Sequence, residues 1–391
     1  MPDPKAVKPW YPEYAIRGLD GVYIIGTLHE YCLIRRDGED VIATNPDELI
    51  RYSKRNFFAL CGVHEHGHIL DKIARLFRWR RQRLTEECRL TKMPSSTGSK
   101  MYTVQIGDKT HAVKLGSDPE HMAKELRNQL CVYVGLLNHW KTITEASKAL
   151  STLQPVQMAK PEAEIVLGRI YTSRNVCAGF MMEYIPPMKS DYARTLANKF
   201  LDPTICNALG QGQNLKNARF HLHLGEMSPS HEALDADLSS RPVYFDQLWR
   251  EAFGRIIPWA RTMGITLAII HWVCQLDGKG VKFLIPSTSK SAMLWMTSFG
   301  DCNSFKRDSV PIDSLIKAVT DNPTWPQSSN ALGLDPLRSG FSTDSPCHSF
   351  LYGYRIASNV ILGIGNTTPS EEFIIKLQAA WQLRPTTRWE V

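Results

Sequence analysis

Four groups of side chains in this sequence have the types and spacing that chemistry needs. The first is His271, Asp277, Ser298, Asp301 and Cys302. A histidine and a carboxylate six residues apart can move protons. Ser298 or Cys302 can accept an acyl group. Glu183, Asp277 and Asp301 are carboxylates able to pair with a cation through two oxygens. The second group is Lys114 with Glu125 eleven residues on, a cation and a carboxylate on an adjoining strand and helix. The third is Arg75, Arg78, Arg80, Arg81 and Arg83, with Phe77 and Trp79 interleaved and Arg89 and Lys92 following. Arginine forks suit phosphate oxygens and aromatic faces stack on bases. The fourth is Cys61, His64, His66 and His68, with Cys88 downstream. These are metal-ligand types, but not at the spacing of a Cys2His2 finger.

Each group also has a structural reading. His271 fits a core histidine that bonds to backbone, and Ser298 and Cys302 fit packing. Lys114 and Glu125 fit an ion pair that ties a strand to a helix. The arginine segment fits a solvated helix with Ile73, Leu76, Phe77 and Leu84 turned inward. The histidines fit a loop beside that helix, and His221 and His223 fit a half-buried strand or helix. Asp277 is the strongest chemical candidate. A carboxylate between Leu276 and Gly278 in a loop has few structural reasons to be there.

The elements that must position these residues follow from periodicity and turn signals. Residues 22–26 and 31–34 are β-like, and 66–91 repeats like a helix. Residues 94–99 (PSSTGS) read as a linker and the clearest domain boundary. Residues 101–106 and 110–115 make a hairpin around Gly107 and Asp108. Asp118 caps a helix at 121–137 that opens on Pro119. Two strands follow, at 165–171 and 177–185, the second stopped by Pro186 and Pro187. A long helix covers 245–266 and leads to His271 and Asp277. A strand and turn at 293–302 carry Ser298. The remainder is helical apart from a loop around 321–347.

Composition bounds the class. Hydrophobic residues make up 43% and charged residues 22%, enough to bury a core. Apolar runs such as 265–270 are far shorter than the ~20 residues that span a bilayer. No apolar stretch follows the first charges, which argues against a signal peptide. Nine widely spaced cysteines argue for reduced thiols and a cytoplasmic protein, with no membrane association. The net charge of +7 favours a polyanionic partner without requiring one.

The order of elements over 101–305 resembles a protein-kinase-like fold. Lys114 occupies the place of the β3 lysine and Glu125 that of its helix partner. Met182, Glu183, Tyr184 and Ile185 resemble the hinge, His271 opens the catalytic-loop region, and Ser298, Phe299 and Gly300 stand at the Asp-Phe-Gly place. The departures fall on the chemistry. Val281 stands near the place of the magnesium-binding Asn, and Ser298 replaces the magnesium-binding Asp. A neutral hydroxyl gives Mg²⁺ little reason to bind. The fold expected is α+β and two-lobed: an N-terminal extension with the basic helix at 1–98, an N-lobe at 99–187 and a mainly helical C-lobe at 188–391.

Over 218–330 the chain is similar to a fungal family often labelled zinc-finger-like or of unknown function. The resemblance rests on Ile269, Ile270, His271, Trp272, Asp277, Val281 and Phe283, then Leu294, Trp295, Phe299 and Cys302, and on Asn322, Pro323, Trp325 and Pro326. Family members usually have Asp where Ser298 stands. Some members are arginine-containing cyclodipeptide synthases, which close a diketopiperazine from aminoacyl groups carried by tRNA.

That resemblance implies arginyl-tRNA and a second aminoacyl-tRNA as partners, no cofactor and no metal. The residues from Arg75 to Arg83, Trp79 included, would bind tRNA, and the kinase-like cleft would hold the aminoacyl ends. Asp277, His271 and Ser298 would act catalytically. Glu183, Asp301, Lys114 and Glu125 would bind substrate. Two readings compete with it: a pseudokinase-like interaction module without catalysis, and an unconventional phosphotransferase using Asp277 and Asp301.

Overall fold

The structure is a computed structural model that describes residues 13–18, 21–27, 29–36, 39–43, 87–93, 100–167, 178–200, 218–228, 241–285, 293–306, 309–328, 346–363 and 365–383. It mixes helices and strands and divides into two compact units. The first comprises residues 1–131 and 159–185, the second 132–158 and 186–391. The arginine segment and the Cys61, His64, His66 and His68 group lie outside the described residues.

In the first unit, β1 (Glu13–Gly18) and β2 (Gly21–Thr27) form a two-stranded sheet. The strands β3 (His29–Arg36), β4 (Glu39–Ala43), β5 (Glu87–Lys92), β6 (Lys100–Ile106), β7 (Lys109–Gly116), β9 (Pro161–Leu167) and β10 (Ala178–Glu183) close into a barrel, in the order β10-β7-β6-β5-β4-β3-β9. Alternation along the strands sorts the side chains. Val113 and Leu115 join Tyr102, Val104, Ala163, Ile165 and Met181 in one buried cluster. On the other face, Phe180 and Ala178 pack against Met122, Leu126 and Leu130 of helix α1 (Pro119–Glu145). Asp118 starts that helix, its Oδ1 accepting the N–H groups of Glu120 and His121 at 3.0 and 3.1 Å.

Two expectations are corrected here. Residues 94–99 do not separate domains, because β5 and β6 on either side pair antiparallel, Leu90 opposite Val104. Residues 87–91 are strand rather than helix. Residues 132–158 belong with the second unit, and the chain passes into that unit again at 185/186.

The second unit contains a five-stranded sheet in the order β12-β11-β13-β14-β8. Its strands are β8 (Gln157–Met158), β11 (Phe220–His223), β12 (Arg241–Tyr244), β13 (Lys282–Leu284) and β14 (Trp295–Thr297). Helices α2 (Ser190–Phe200), α3 (Phe245–Ala268), α4 (Ile312–Thr320), α5 (Pro346–Leu362) and α6 (Thr368–Leu383) accompany it. A π-helical turn, Ile269–Val273, continues α3. By length and composition Arg255–Val273 would cross a membrane, unlike the shorter apolar runs read from the sequence. It is 83% buried inside the protein, as a core helix is.

Glycine lets α3 and α5 approach backbone to backbone. A Cβ on Gly264 would lie 2.0 Å from the Phe350 carbonyl oxygen, and one on Gly353 would lie 2.3 Å from that of Arg261. Both obstacles are backbone, so relief requires moving a helix. Gly264→Ala should therefore destabilise the fold by about 1–3 kcal/mol, with Gly353→Ala similar. Chemical denaturation followed by circular dichroism measures this; unchanged midpoints would disprove the close approach.

Candidate functional site

The sequence candidates fall in both units. Lys114, Glu125 and Glu183 lie in the first, and His271, Asp277, Ser298, Asp301 and Cys302 in the second.

In the first unit, β7 turns Lys114 away from the barrel interior, and its cross-strand neighbour on β10 is Phe180. The first turns of α1 bring Glu125 to it. Lys114 Nζ donates to Glu125 Oε1 at 2.5 Å and Oε2 at 2.7 Å. The Glu125 side chain is 4% exposed and that of Lys114 15%. The pair is thus held where water does little to screen it. Glu183 ends β10 and is exposed. Its N–H donates to the Lys160 carbonyl at 2.9 Å, and its Oε2 accepts the Lys160 N–H at 3.4 Å.

In the second unit, the loop after the π-turn is joined to the loop after β14. The Asp277 carboxylate, 7% exposed, is the centre of the joint. Its Oδ1 accepts the N–H groups of Lys279 at 3.0 Å and Asn303 at 2.9 Å, and its Oδ2 accepts Asn303 Nδ2 at 2.9 Å. The backbone completes the joint. Asp277 N–H donates to the Asn303 carbonyl and Phe305 N–H to the Gln275 carbonyl, both at 3.0 Å. Leu276 and Ser304 bridge antiparallel, and Cys302 Sγ meets the Lys279 carbonyl at 3.2 Å. Asn322 fastens the same region, its Nδ2 donating to the Val281 carbonyl at 2.9 Å.

Four residues around the joint have left-handed backbone: Gln275 (φ 55), Gly278 (φ 70), Gly280 (φ 74) and Ser298 (φ 70). The glycines take this conformation freely, and Gly280 also needs the space, since a Cβ there would lie 2.9 Å from Asp301 Cβ. For Gln275 and Ser298 it is strained, at about 1–3 kcal/mol each, and the surrounding bonds must hold it. Ser298 Oγ lies 3.4 Å from Thr297 Oγ1 and is half-buried, while Asp301 is exposed beside Gly280. Cys302 is fully buried.

His271 takes the core role. It is 0% exposed, its Nδ1 shares a 2.9 Å hydrogen bond with the Tyr354 hydroxyl, and Trp272, Tyr354 and Phe373 meet its ring edge-on. Burial pushes its pKa down to about 3, with the Asp277 backbone acting in the opposite sense. It is therefore uncharged near neutral pH and shut off from a substrate, which removes it from the proton-handling residues. The neighbouring Trp272 Nε1 donates to Ser358 Oγ at 2.9 Å.

Asn303, Lys279 and Gly280 are the site residues that sequence reasoning missed. Glycines flanking Lys279 on both sides were the available signal, because such a pair permits the tight reversal that aims its N–H at Asp277.

Two measurements check this description. Lys114→Met or Glu125→Leu alone strands a buried charge and should cost about 3 kcal/mol, whereas the double variant should recover most of the loss. Additive losses in a denaturation cycle would contradict the pair. Histidine burial sets the second. His271 and His221, each with a folded pKa near 3 against 6.5, take up protons in the unfolded chain first. Stability should therefore fall as pH drops from about 6.5 toward 3. Melting temperatures in His271→Gln should fall less steeply than in the native chain; an identical slope would contradict the neutral core role.

A scan against protein-family models finds no family that matches the chain, and a search of curated proteins finds no match.

Proposed function

We propose that this chain is a tRNA-dependent cyclodipeptide synthase on a two-lobed protein-kinase-like fold. It takes an arginyl group and a second aminoacyl group from tRNA and joins them into a diketopiperazine. The observation that carries the reading is the interlock around Asp277. Asp277, Val281, Cys302 and Asn322, positions that resemble the family's motifs, meet through Asn303 and Lys279 in one joined loop pair. The Lys114–Glu125 pair supports the kinase-like part.

The reaction needs no external energy source. The α-amine of one aminoacyl group attacks the ester carbonyl of the other, and the tRNA 3′ oxygen leaves with the proton. A second such attack within the dipeptidyl ester closes the ring and frees the second tRNA. Two aminoacyl-tRNAs thus give one cyclic dipeptide and two tRNAs. Holding amine and ester together supplies much of the rate. Ser298 is the candidate acyl acceptor if the first group passes through the protein, by exchange of one ester for another. Asp277 commits both oxygens to local donors, so its role is to hold, through Asn303, the loop after β14 that carries Ser298 and Asp301. Asp301 and Glu183, both exposed, are the carboxylates available to a guanidinium.

Mass spectrometry of a bacterial host expressing the chain should find an arginine-containing diketopiperazine, reduced at least about tenfold in Asp277→Ala. Its absence from a host making folded protein would refute the reading. A second reading, a non-catalytic interaction module, is favoured by the burial of His271 and the engagement of Asp277. It predicts no such product. Thermal stabilisation by ATP with Mg²⁺, lost in Asp301→Asn, would instead point to a phosphotransferase.

A further inference from the structure

One face of the five-stranded sheet is unused by the reading above. Phe220, Leu222, Val243, Phe283 and Met296 are buried on the core side. Alternation puts His221, His223, Tyr244, Lys282, Trp295 and Thr297 on the other face, all half-buried. Register sets these residues around Leu284, which lies on the same face and is 5% exposed. His221 stands opposite Leu284, which stands opposite Trp295; His223 stands beside Tyr244, and Lys282 opposite Thr297. The His223 and Tyr244 rings meet edge-on at 5.7 Å.

The chemistry of the face is a cation beside half-buried aromatic rings. Among the described residues Lys282 makes no salt bridge, and the Trp295 indole N–H makes no hydrogen bond. Lys282 and Trp295 are diagonal neighbours across β13 and β14, roughly 7–8 Å apart by sheet geometry. Lys282 and Arg219 bring positive charge to this part of the sheet, and both oppose protonation of His221 after burial as the main cause. The acidic group beside them is Glu226, 3.0 Å from His223 Nδ1 and half exposed.

We propose that this sheet face binds the single-stranded 3′ end of an RNA, with a phosphate at Lys282 and a base stacked on Trp295. Charge complementarity requires an anionic occupant. The adjoining aromatic surface selects one that carries flat rings, which an acidic peptide or a bare phosphate lacks. The inference rests on the reading that the substrates are carried by tRNA, and it assigns their ends to residues other than the arginine segment.

The probe is a fluorescein-labelled single-stranded RNA octamer ending in CCA, titrated into the full chain by fluorescence anisotropy. Trp295→Ala and Lys282→Gln should each weaken binding about tenfold, and Trp295→Phe should retain most of it. Lys282→Gln should also reduce the log–log salt slope by about 1. Wild-type affinity in both Trp295→Ala and Lys282→Gln would overturn the proposal. So would displacement of the RNA by an acidic peptide at equal concentration. If Trp295→Ala fails to melt cooperatively, Trp295→Leu against Trp295→Phe, together with Lys282→Gln, decides. RNA binding that depends on this face, without cyclic dipeptide, removes the proposed reaction and leaves the face. Product formed by both variants with an unchanged KM for aminoacyl-tRNA removes the face and leaves the reaction.

Discussion

A carboxylate withdrawn from water must be met by donors, and the second unit is arranged around meeting that of Asp277. Three N–H groups converge on its two oxygens, from Lys279 and twice from Asn303. Hydrogen bonds to a charged acceptor are worth about 1.5–3 kcal/mol, and more is lost when a buried one is left unmade. This gain is large enough to hold Gln275 and Ser298 in left-handed backbone that neither would choose alone. The loop after the π-turn and the loop after β14 are far apart in sequence, yet they behave as one object because a single side chain requires both.

The first unit solves a related problem with an ion pair. Lys114 leaves the barrel interior to Val113 and Leu115 and emerges on the face that α1 covers. An unpaired ammonium there would be costly, and Glu125 removes that cost with both oxygens. The apolar contacts of Met122, Leu126 and Leu130 with Phe180 set the helix against the strands, so the pair does not have to. Its contribution is to specify which turn of the helix faces which strand.

Much of this was legible in the sequence where signals are local. The β6–β7 hairpin, the Asp118 cap and the long helix before His271 all follow from turn chemistry and periodicity within a short window. Lys114 and Glu125 were read as a pair from the resemblance to a protein-kinase-like fold, and a strand, a turn and a helix of ordinary length bring them together. The misreadings share a physical cause, which is pairing over distance. Residues 94–99 have the composition of a linker, but whether a polar stretch joins domains or two paired strands depends on Leu90 meeting Val104. Residues 87–91 carry a helical period and are strand because β4 and β6 flank them. Asp277 was singled out for chemistry because few structural reasons for its carboxylate were visible. The reason, Asn303, stands 26 residues on and has no periodic or compositional mark.

The same joint bears on what chemistry the chain can support. Phosphoryl transfer from a nucleotide needs anionic oxygens to hold a divalent cation at the transferred group. At the two positions where the resemblance would place metal ligands, the chain has Ser298 and Val281, a neutral hydroxyl and a hydrocarbon. An aminoacyl ester makes no such demand, because it arrives activated and its attack needs orientation more than charge neutralisation. On the proposed reading, a loop pair pinned by a buried carboxylate would supply that orientation and give up a free base in exchange. Asp277 is thus better understood as a fixture than as a reagent, and on the proposed reading the exposed Asp301 is the carboxylate left for a substrate.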